Sequence, residues 1–196
     1  MAADLSAFPD PALDAKPATG RQTAVLAGGC FWCTEAVFEI MEGVEDVVSG
    51  YSGGTAETAK YDVVSTGRTG HAEAIRVTFD PTRITLDQLL DVFFDAHDPT
   101  QLNRQGNDVG TQYRSAIFFA DQTQHQAVQA KIAALTAAGK FGRPIVTTLE
   151  PLVEFYPAEQ YHQDFVRRNP WQPYVQFHSI PNLCRVRDRH AALFKH

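Results

Sequence analysis

The chain has 196 residues, 44% of them hydrophobic and 11% aromatic, which predicts one globular domain with a substantial core and excludes disorder. A formal charge of −6 argues against a protein built mainly to hold nucleic acid or an anionic membrane surface. No apolar run reaches the roughly 18 residues of a spanning helix, the N-terminal stretch lacks the apolar core of a secretory signal, and three cysteines do not make a disulfide framework, so a cytoplasmic protein is expected.

Residues 1–22 carry Pro9, Pro11 and Pro17 without periodicity and read as an irregular arm, leaving 23–196 as a single domain. Ala24, Val25, Leu26 and Ala27 form the short apolar run of a buried strand, broken by Gly28-Gly29. Thr34, Glu35, Ala36, Val37 and Phe38, leading to Ile40 and Met41, read as a helix with Glu35 in its first turn and Gly43 as its stop. Cys30 therefore falls where a strand turns into a helix, and the unpaired N–H groups there are expected to lower its thiol pKa. Cys33, three residues on, shares its helix face.

Residues 44–51 are a second strand candidate, closed by Ser52-Gly53-Gly54, and 55–70 a long polar loop with one helical turn around Tyr61 to Val64. Residues 72–79 alternate, with Glu73, Ile75, Val77 and Phe79 on one face. A carboxyl on that apolar side loses solvation of its charged form, stays protonated near neutral pH and can act as an acid; a strand-end glutamate paired with arginine or reached by water is the competing reading. After the Asp80-Pro81 turn, Thr85-x-x-Gln88 is a capping box opening a helix through Ala96, with Leu86, Leu89, Leu90 and Phe93 as its buried stripe. Residues 97–113 have no period and read as a functional loop. A strand over 114–120, a helix over 121–138 stopped by Gly139, an edge strand over 146–155 interrupted at Pro151, and a short helix over 158–168 follow. In the tail, Arg185, Arg187 and Arg189 read as a solvated basic face. Strands and helices alternate irregularly, which favours an α+β two-layer sandwich over a doubly wound parallel sheet.

The C-F-W-C stretch admits three chemical readings. A zinc site would need two more ligands, and no H-x-x-x-H or second C-x-x-C accompanies the pair. A general thiol-disulfide exchanger places C-x-x-C at a helix start, but Phe31-Trp32 is bulky for a site admitting another protein's disulfide. The third reading is a thiol enzyme acting on a small group held between aromatic rings. Against all three stand two inert buried cysteines and two core aromatics. Gly50-x-x-Gly53-Gly54 lacks the lysine of a phosphate loop. Tyr61, His71, Asp108 and Tyr113 each lie in or beside a polar loop, where ordinary capping residues are common.

Several stretches in one order resemble the type A peptide methionine sulfoxide reductases: Gly29-Cys30-Phe31-Trp32, Gly50-Tyr51-Ser52-Gly53-Gly54, Thr69-Gly70-His71-Ala72-Glu73, His97-Asp98-Pro99, Arg104-Gln105-Gly106-Asn107-Asp108 running on to Tyr113-Arg114-Ser115, and Tyr161-His162-Gln163. The resemblance implies an α+β fold with a mixed sheet and a ferredoxin-like split βαβ core; no cofactor is expected, and a monomer is the default. It makes Cys30 the nucleophile attacking the sulfoxide sulfur and Phe31 and Trp32 the walls of a methyl pocket. Glu73, helped by Tyr61 and Tyr113, serves the sulfoxide oxygen, and Asp108 orients substrate or water. Attack leaves a sulfenic acid, which a second thiol condenses to a disulfide opened by a dithiol reductant such as thioredoxin. The chain departs from the common family pattern, in which glycine follows the tryptophan and the recycling cysteines lie in a glycine-rich tail. Here Cys33 takes the glycine's place and the tail carries only Cys184, so the resemblance to the C-x-x-C subgroup makes Cys33 the resolving thiol, with Cys184 the alternative. Thr58-Ala59 also replaces the usual Asn-Pro before the loop tyrosine.

Overall fold

The computed structural model describes residues 20–195. The expected N-terminal arm lies outside the described residues up to position 19, and Gln22 already pairs with Phe79. In chain order the elements are β1 (Gln22–Gly28), α1 (Phe31–Glu39), β2 (Val44–Ser52), α2 (Tyr61–Val64), β3 (Ala72–Phe79), α3 (Leu86–Ala96), β4 (Arg104–Gln105), β5 (Asp108–Val109), β6 (Ser115–Phe119), α4 (Gln122–Ala137), β7 (Thr148–Pro151), β8 (Phe155–Pro157), α5 (Phe165–Arg168) and α6 (Ile180–Arg189). Among the described residues no helix is long and apolar enough to cross a membrane.

The main sheet runs β7-β6-β1-β3-β2-β8. Its centre, β6-β1-β3-β2, is antiparallel throughout, and β3 lies between the two strands that α1 connects. That is the ferredoxin-like split βαβ arrangement. β7 joins parallel at one edge and β8 antiparallel at the other, which makes the sheet mixed and the α+β reading correct. Alternation sends Leu26, Ile75, Val77 and Phe79 to the helix side, where they pack with Val37, Phe38, Leu89, Leu90 and Phe93, all essentially unexposed. Each such side chain contributes about 1.5–3 kcal/mol by leaving water. Thr85 and Gln88 form the reciprocal capping box that starts α3. Lys131 on α4 ties back to α3 through Asp87 at 2.8 Å and Asp91 at 2.7 Å.

The other face is lined by Val25, Ala27, Ala72, Ala74, Ala116, Phe118 and Phe155. Its small residues follow from the connection between the sheet edges. From Pro151 to Phe155 the chain reaches at most about 14 Å, whereas six flat strands span about 24 Å. The sheet must therefore curl, and alanines fill its concave side. The single strand expected over 146–155 is thus two strands on opposite edges: Pro151 has no N–H to continue the ladder and ends β7.

Three further expectations are corrected. Residues 158–168 hold a 3₁₀ turn at Gln160–His162 and the short α5, separated by Asp164 at φ 55°. Glu35 lies beyond the first turn of α1 and is buried, because that turn begins at Phe31. Arg187 and Arg189 are exposed as a solvated face requires, but Arg185 and Arg189 also pair with the buried Asp95, at 3.3 and 2.7 Å, and bind α6 to α3. The hydrogen bond from His190, together with the two guanidinium groups, holds the Asp95 carboxyl down at about 2 despite its burial.

Candidate functional site

Gly29 makes the turn between β1 and α1 at φ +90°, and a Cβ there would lie 2.7 Å from the Gln105 side chain. Cys30 follows as the N-cap of α1, its carbonyl accepting the Cys33 N–H at 3.1 Å. The Cys30 thiol donates to the Cys33 sulfur, so the two sulfurs meet as the i, i+3 spacing suggests. The pKa expectation is reversed, however. Burial, the hydrogen bond to Cys33 and the nearby Glu73 carboxyl push the Cys30 thiol well above the ordinary value. A helix N-terminus contributes about 0.3–1 kcal/mol, whereas full burial shifts a group by up to several pKa units. Cys33 is lowered instead: the Cys30 hydrogen bond favours its thiolate against burial, as does the one from Ser179.

β3 delivers Glu73 opposite Tyr51 of β2, with the carboxyl buried on the helix side. Its Oε2 accepts the Phe31 N–H at 3.1 Å. Burial pushes its pKa up to about 8, with the Asp108 charge adding to the shift and the Phe31 bond opposing it. The carboxyl is therefore protonated at neutral pH. Burial, with the nearby Glu73, also holds Tyr61 and Tyr113 as neutral phenols. Tyr61 is placed by its own N–H bonding Glu159 at 2.8 Å. Tyr113 precedes Arg114, which grips Glu150 with two bonds of 2.9 Å and donates to Gly70 O at 3.1 Å. Asp108 sits on the β4–β5 hairpin and accepts the Tyr174 hydroxyl at 2.5 Å.

Phe31 is fully buried against Tyr51 and His162 at ring separations of 5.8 and 5.0 Å. Trp32 stacks flat on Phe165, 3.7 Å apart and 6° from parallel, and its Nε1–H donates to His162 Nδ1 at 3.0 Å. The structure thus gathers Cys30, Phe31, Cys33, Glu73, Tyr61, Tyr113 and Asp108 in one neighbourhood, with the Trp32 ring fixed at its side. It adds His162, Phe165, Tyr174, Ser179 and Glu159, to which the sequence reading assigns no role. His162 lies in the Tyr161-His162-Gln163 motif and Phe165 in the helix expected over 158–168, whereas Tyr174 and Ser179 sit in a stretch without a periodic signal. His71 is structural: Nδ1 accepts the Gly54 N–H at 3.1 Å and Nε2 bonds Thr55 O at 3.0 Å, tethering the glycine turn. Cys184 lies on α6, five residues past Ser179, whose hydroxyl touches Cys33 at 3.2 Å. That is about 7.5 Å further along the helix axis.

The sulfur pair opens to a cavity of about 650 Å³ whose lining includes Cys30, Cys33, Asp108, Tyr174, Arg143 and His178. Among the described residues no group of three or more His, Cys, Asp or Glu side chains is arranged to hold a metal ion. A buried neutral acid, two neutral phenols and a thiol pair beside an aromatic wall can protonate an oxygen while sulfur attacks the atom that carries it.

The family described as peptide methionine sulfoxide reductase matches residues 22–193. A peptide methionine sulfoxide reductase MsrA of Clavibacter sepedonicus is 54% identical over 172 residues, covering 87% of this chain and 96% of the relative. The MsrA 2 of Mesorhizobium japonicum is 49% identical over 183 residues, covering 93% and 94%. Among solved structures, methionine sulfoxide reductase A of Corynebacterium diphtheriae is similar with a TM-score of 0.69 at 36% identity, covering 86% of this chain and 87% of that one. Reduced Mxr1 of Saccharomyces cerevisiae has a TM-score of 0.65 at 35% identity, covering 77% and 87%.

Proposed function

This chain belongs to the peptide methionine sulfoxide reductase family, and from that premise we propose how its residues divide the reduction of methionine sulfoxide, free or in proteins. The observation that carries the assignment is the protonated Glu73 carboxyl, buried and bonded to the turn that holds Cys30. The Cys30 sulfur attacks the sulfoxide sulfur. Glu73 gives its proton to the sulfoxide oxygen and recovers the proton that Cys30 loses, with the Tyr61 and Tyr113 phenols donating hydrogen bonds to the same oxygen. Phe31 and Trp32 hold the methyl group, and Asp108 orients the site through its hairpin. Methionine leaves, and Cys30 carries a sulfenic acid. One epimer, the S-sulfoxide, fits when methyl group and oxygen have fixed and different walls.

Cys33 then condenses with the sulfenic acid, releasing water and leaving a Cys30–Cys33 disulfide, as in the C-x-x-C subgroup. The hydrogen bond between the two sulfurs and the distance of Cys184 along α6 support this choice. A dithiol protein of the thioredoxin kind opens the disulfide. We place the enzyme in the cytoplasm, with 23–196 as one catalytic domain acting as a monomer.

The test is a single turnover of reduced protein with methionine sulfoxide and no added reductant, followed by thiol counting and peptide mapping. The expected result is one methionine and a Cys30–Cys33 link. A Cys30–Cys184 link would keep the enzyme and replace the resolver, and no methionine from folded, reduced protein would remove Cys30 from its role.

A further inference from the structure

The C-terminal helix is irregular where it passes the sulfur pair. Over Val175–Ser179 it widens into a π turn, and the Ile180 N–H bonds Val175 O. In a regular α-helix residues five apart diverge by about 140° around the axis. A π turn, whose bonds run from i to i+5, returns the fifth residue to nearly the same side. Tyr174 and Ser179 are five apart, and both reach Cys33 Sγ, Tyr174 Oη at 4.0 Å and Ser179 Oγ at 3.2 Å. The Tyr174 hydroxyl proton is committed to Asp108 Oδ2 at 2.5 Å, so toward Cys33 this oxygen accepts. The Ser179 side chain is fully buried against the same sulfur.

We propose that the π turn builds an activation site for the resolving thiol: Tyr174 accepts the Cys33 proton while passing its own to Asp108, and Ser179 donates a hydrogen bond to the resulting thiolate. This rests on the reading of Cys33 as the thiol that closes the disulfide. Only a thiolate attacks well, and burial together with the Asp108 charge opposes one at Cys33. The two hydroxyls offset that opposition at the moment a sulfenic acid stands on Cys30. As the sulfur–sulfur bond forms, the S–O bond of the sulfenic acid breaks. The Cys30 sulfur is reduced and the Cys33 sulfur oxidised, and the departing hydroxide takes the Glu73 proton to leave as water. Asp108 ends protonated and Glu73 ionised, and the two exchange that proton with solvent before the next turnover. An α-helical register over 174–179 would present only one of the two hydroxyls to Cys33.

The experiment follows a single turnover of the whole protein with free methionine sulfoxide, measuring methionine release, sulfenic acid by trapping with a cyclic dione, and disulfide by loss of thiols. In Ser179→Ala methionine is released as in the parent protein, and in both Ser179→Ala and Tyr174→Phe trapped sulfenic acid rises and the disulfide forms about tenfold more slowly, the loss expected for one hydrogen bond to a charged group. The pH profile of that second step moves to higher pH, and Ser179→Thr restores both. Disulfide formation at the parent rate with an unchanged profile in both variants overturns the proposal while leaving Cys33 as resolver. An intramolecular disulfide that still forms in Cys33→Ser overturns the proposal together with the reading beneath it.

Discussion

The Phe31 backbone N–H donates to Glu73 Oε2 at 3.1 Å, so the acid on β3 and the turn carrying Cys30 are held as one unit. A first-turn N–H of a helix has no intrahelical partner, and here a side chain from the sheet satisfies it. The bond costs the acid little of its neutrality, because burial outweighs it and leaves the carboxyl at about 8.

That value sets the pH dependence of the first step. The proposed reaction uses the protonated carboxyl, which is present below about 8 and lost as the pH rises through it. The single-turnover rate of methionine formation should therefore fall on the alkaline side of about 8. Glu73→Gln keeps the shape and a neutral donor but has no acid proton, so the rate should drop by about 10²–10⁴ and the alkaline fall tied to Glu73 should vanish. Rapid-quench measurements between about pH 6 and about pH 10 decide the matter. A variant as fast as the parent protein would remove Glu73 from proton transfer.

How far such conclusions can be reached without coordinates depends on how local their causes are. Glu73 is placed by strand alternation, a period that eight residues are enough to display, and the capping box at Thr85 and Gln88 is a contact within one turn. The position of Cys30 at a helix start is equally local, since Gly28-Gly29 punctuates the chain. Its thiol pKa is not, because its direction is decided by how deeply the turn is packed and by Glu73, 43 positions away in the chain. The edge strand around Pro151 is legible, but its separation from a second edge strand at Phe155 escapes detection because the two pair with opposite ends of a curled sheet. Tyr174 and Ser179 escape it because a π turn breaks the 3.6-residue period on which helix reading rests. The seat of Trp32 is a matter of packing between distant segments, and the family motif containing His162 points to it without saying why.

Trp32 is held from two sides, by the flat stack on Phe165 and by the bond from its Nε1–H to His162 Nδ1. On the proposed role of that ring as a wall of the methyl pocket, loosening it should weaken substrate binding more than chemistry. His162→Ala is expected to raise KM for methionine sulfoxide about tenfold, the worth of one lost hydrogen bond and its packing, and to lower kcat by no more than about threefold. The tryptophan fluorescence of the variant should shift as the indole gains water. A large fall in kcat with KM unchanged would show that His162 acts in the chemistry and not through the wall.

Glu35 offers a test of stability separate from catalysis. It is 1% exposed, on the side of α1 that packs on α5, and its Oε1 is buried with no hydrogen-bond partner among the described residues. Glu39, Asp164 and Arg167 line the same cavity, and burial pushes Glu35 to about 7 from 4.5. Its pKa is raised on folding, so the folded chain binds more protons than the unfolded chain between those values. Stability linked to Glu35 is therefore complete below about 4.5 and is lost as the pH rises through about 7. Glu35→Gln keeps an oxygen acceptor and removes the ionisation. The variant should match the parent protein at about pH 5 and exceed it by about 1–3 kcal/mol at about pH 8.5, a rise in Tm of roughly 2–4 °C per kcal/mol. Thermal unfolding followed by circular dichroism at the two pH values measures this directly. Equal destabilisation at both would mean that the carboxyl makes a bond the amide cannot replace, and that its ionisation does not limit the stability of the α1–α5 contact on which the Trp32–Phe165 stack depends.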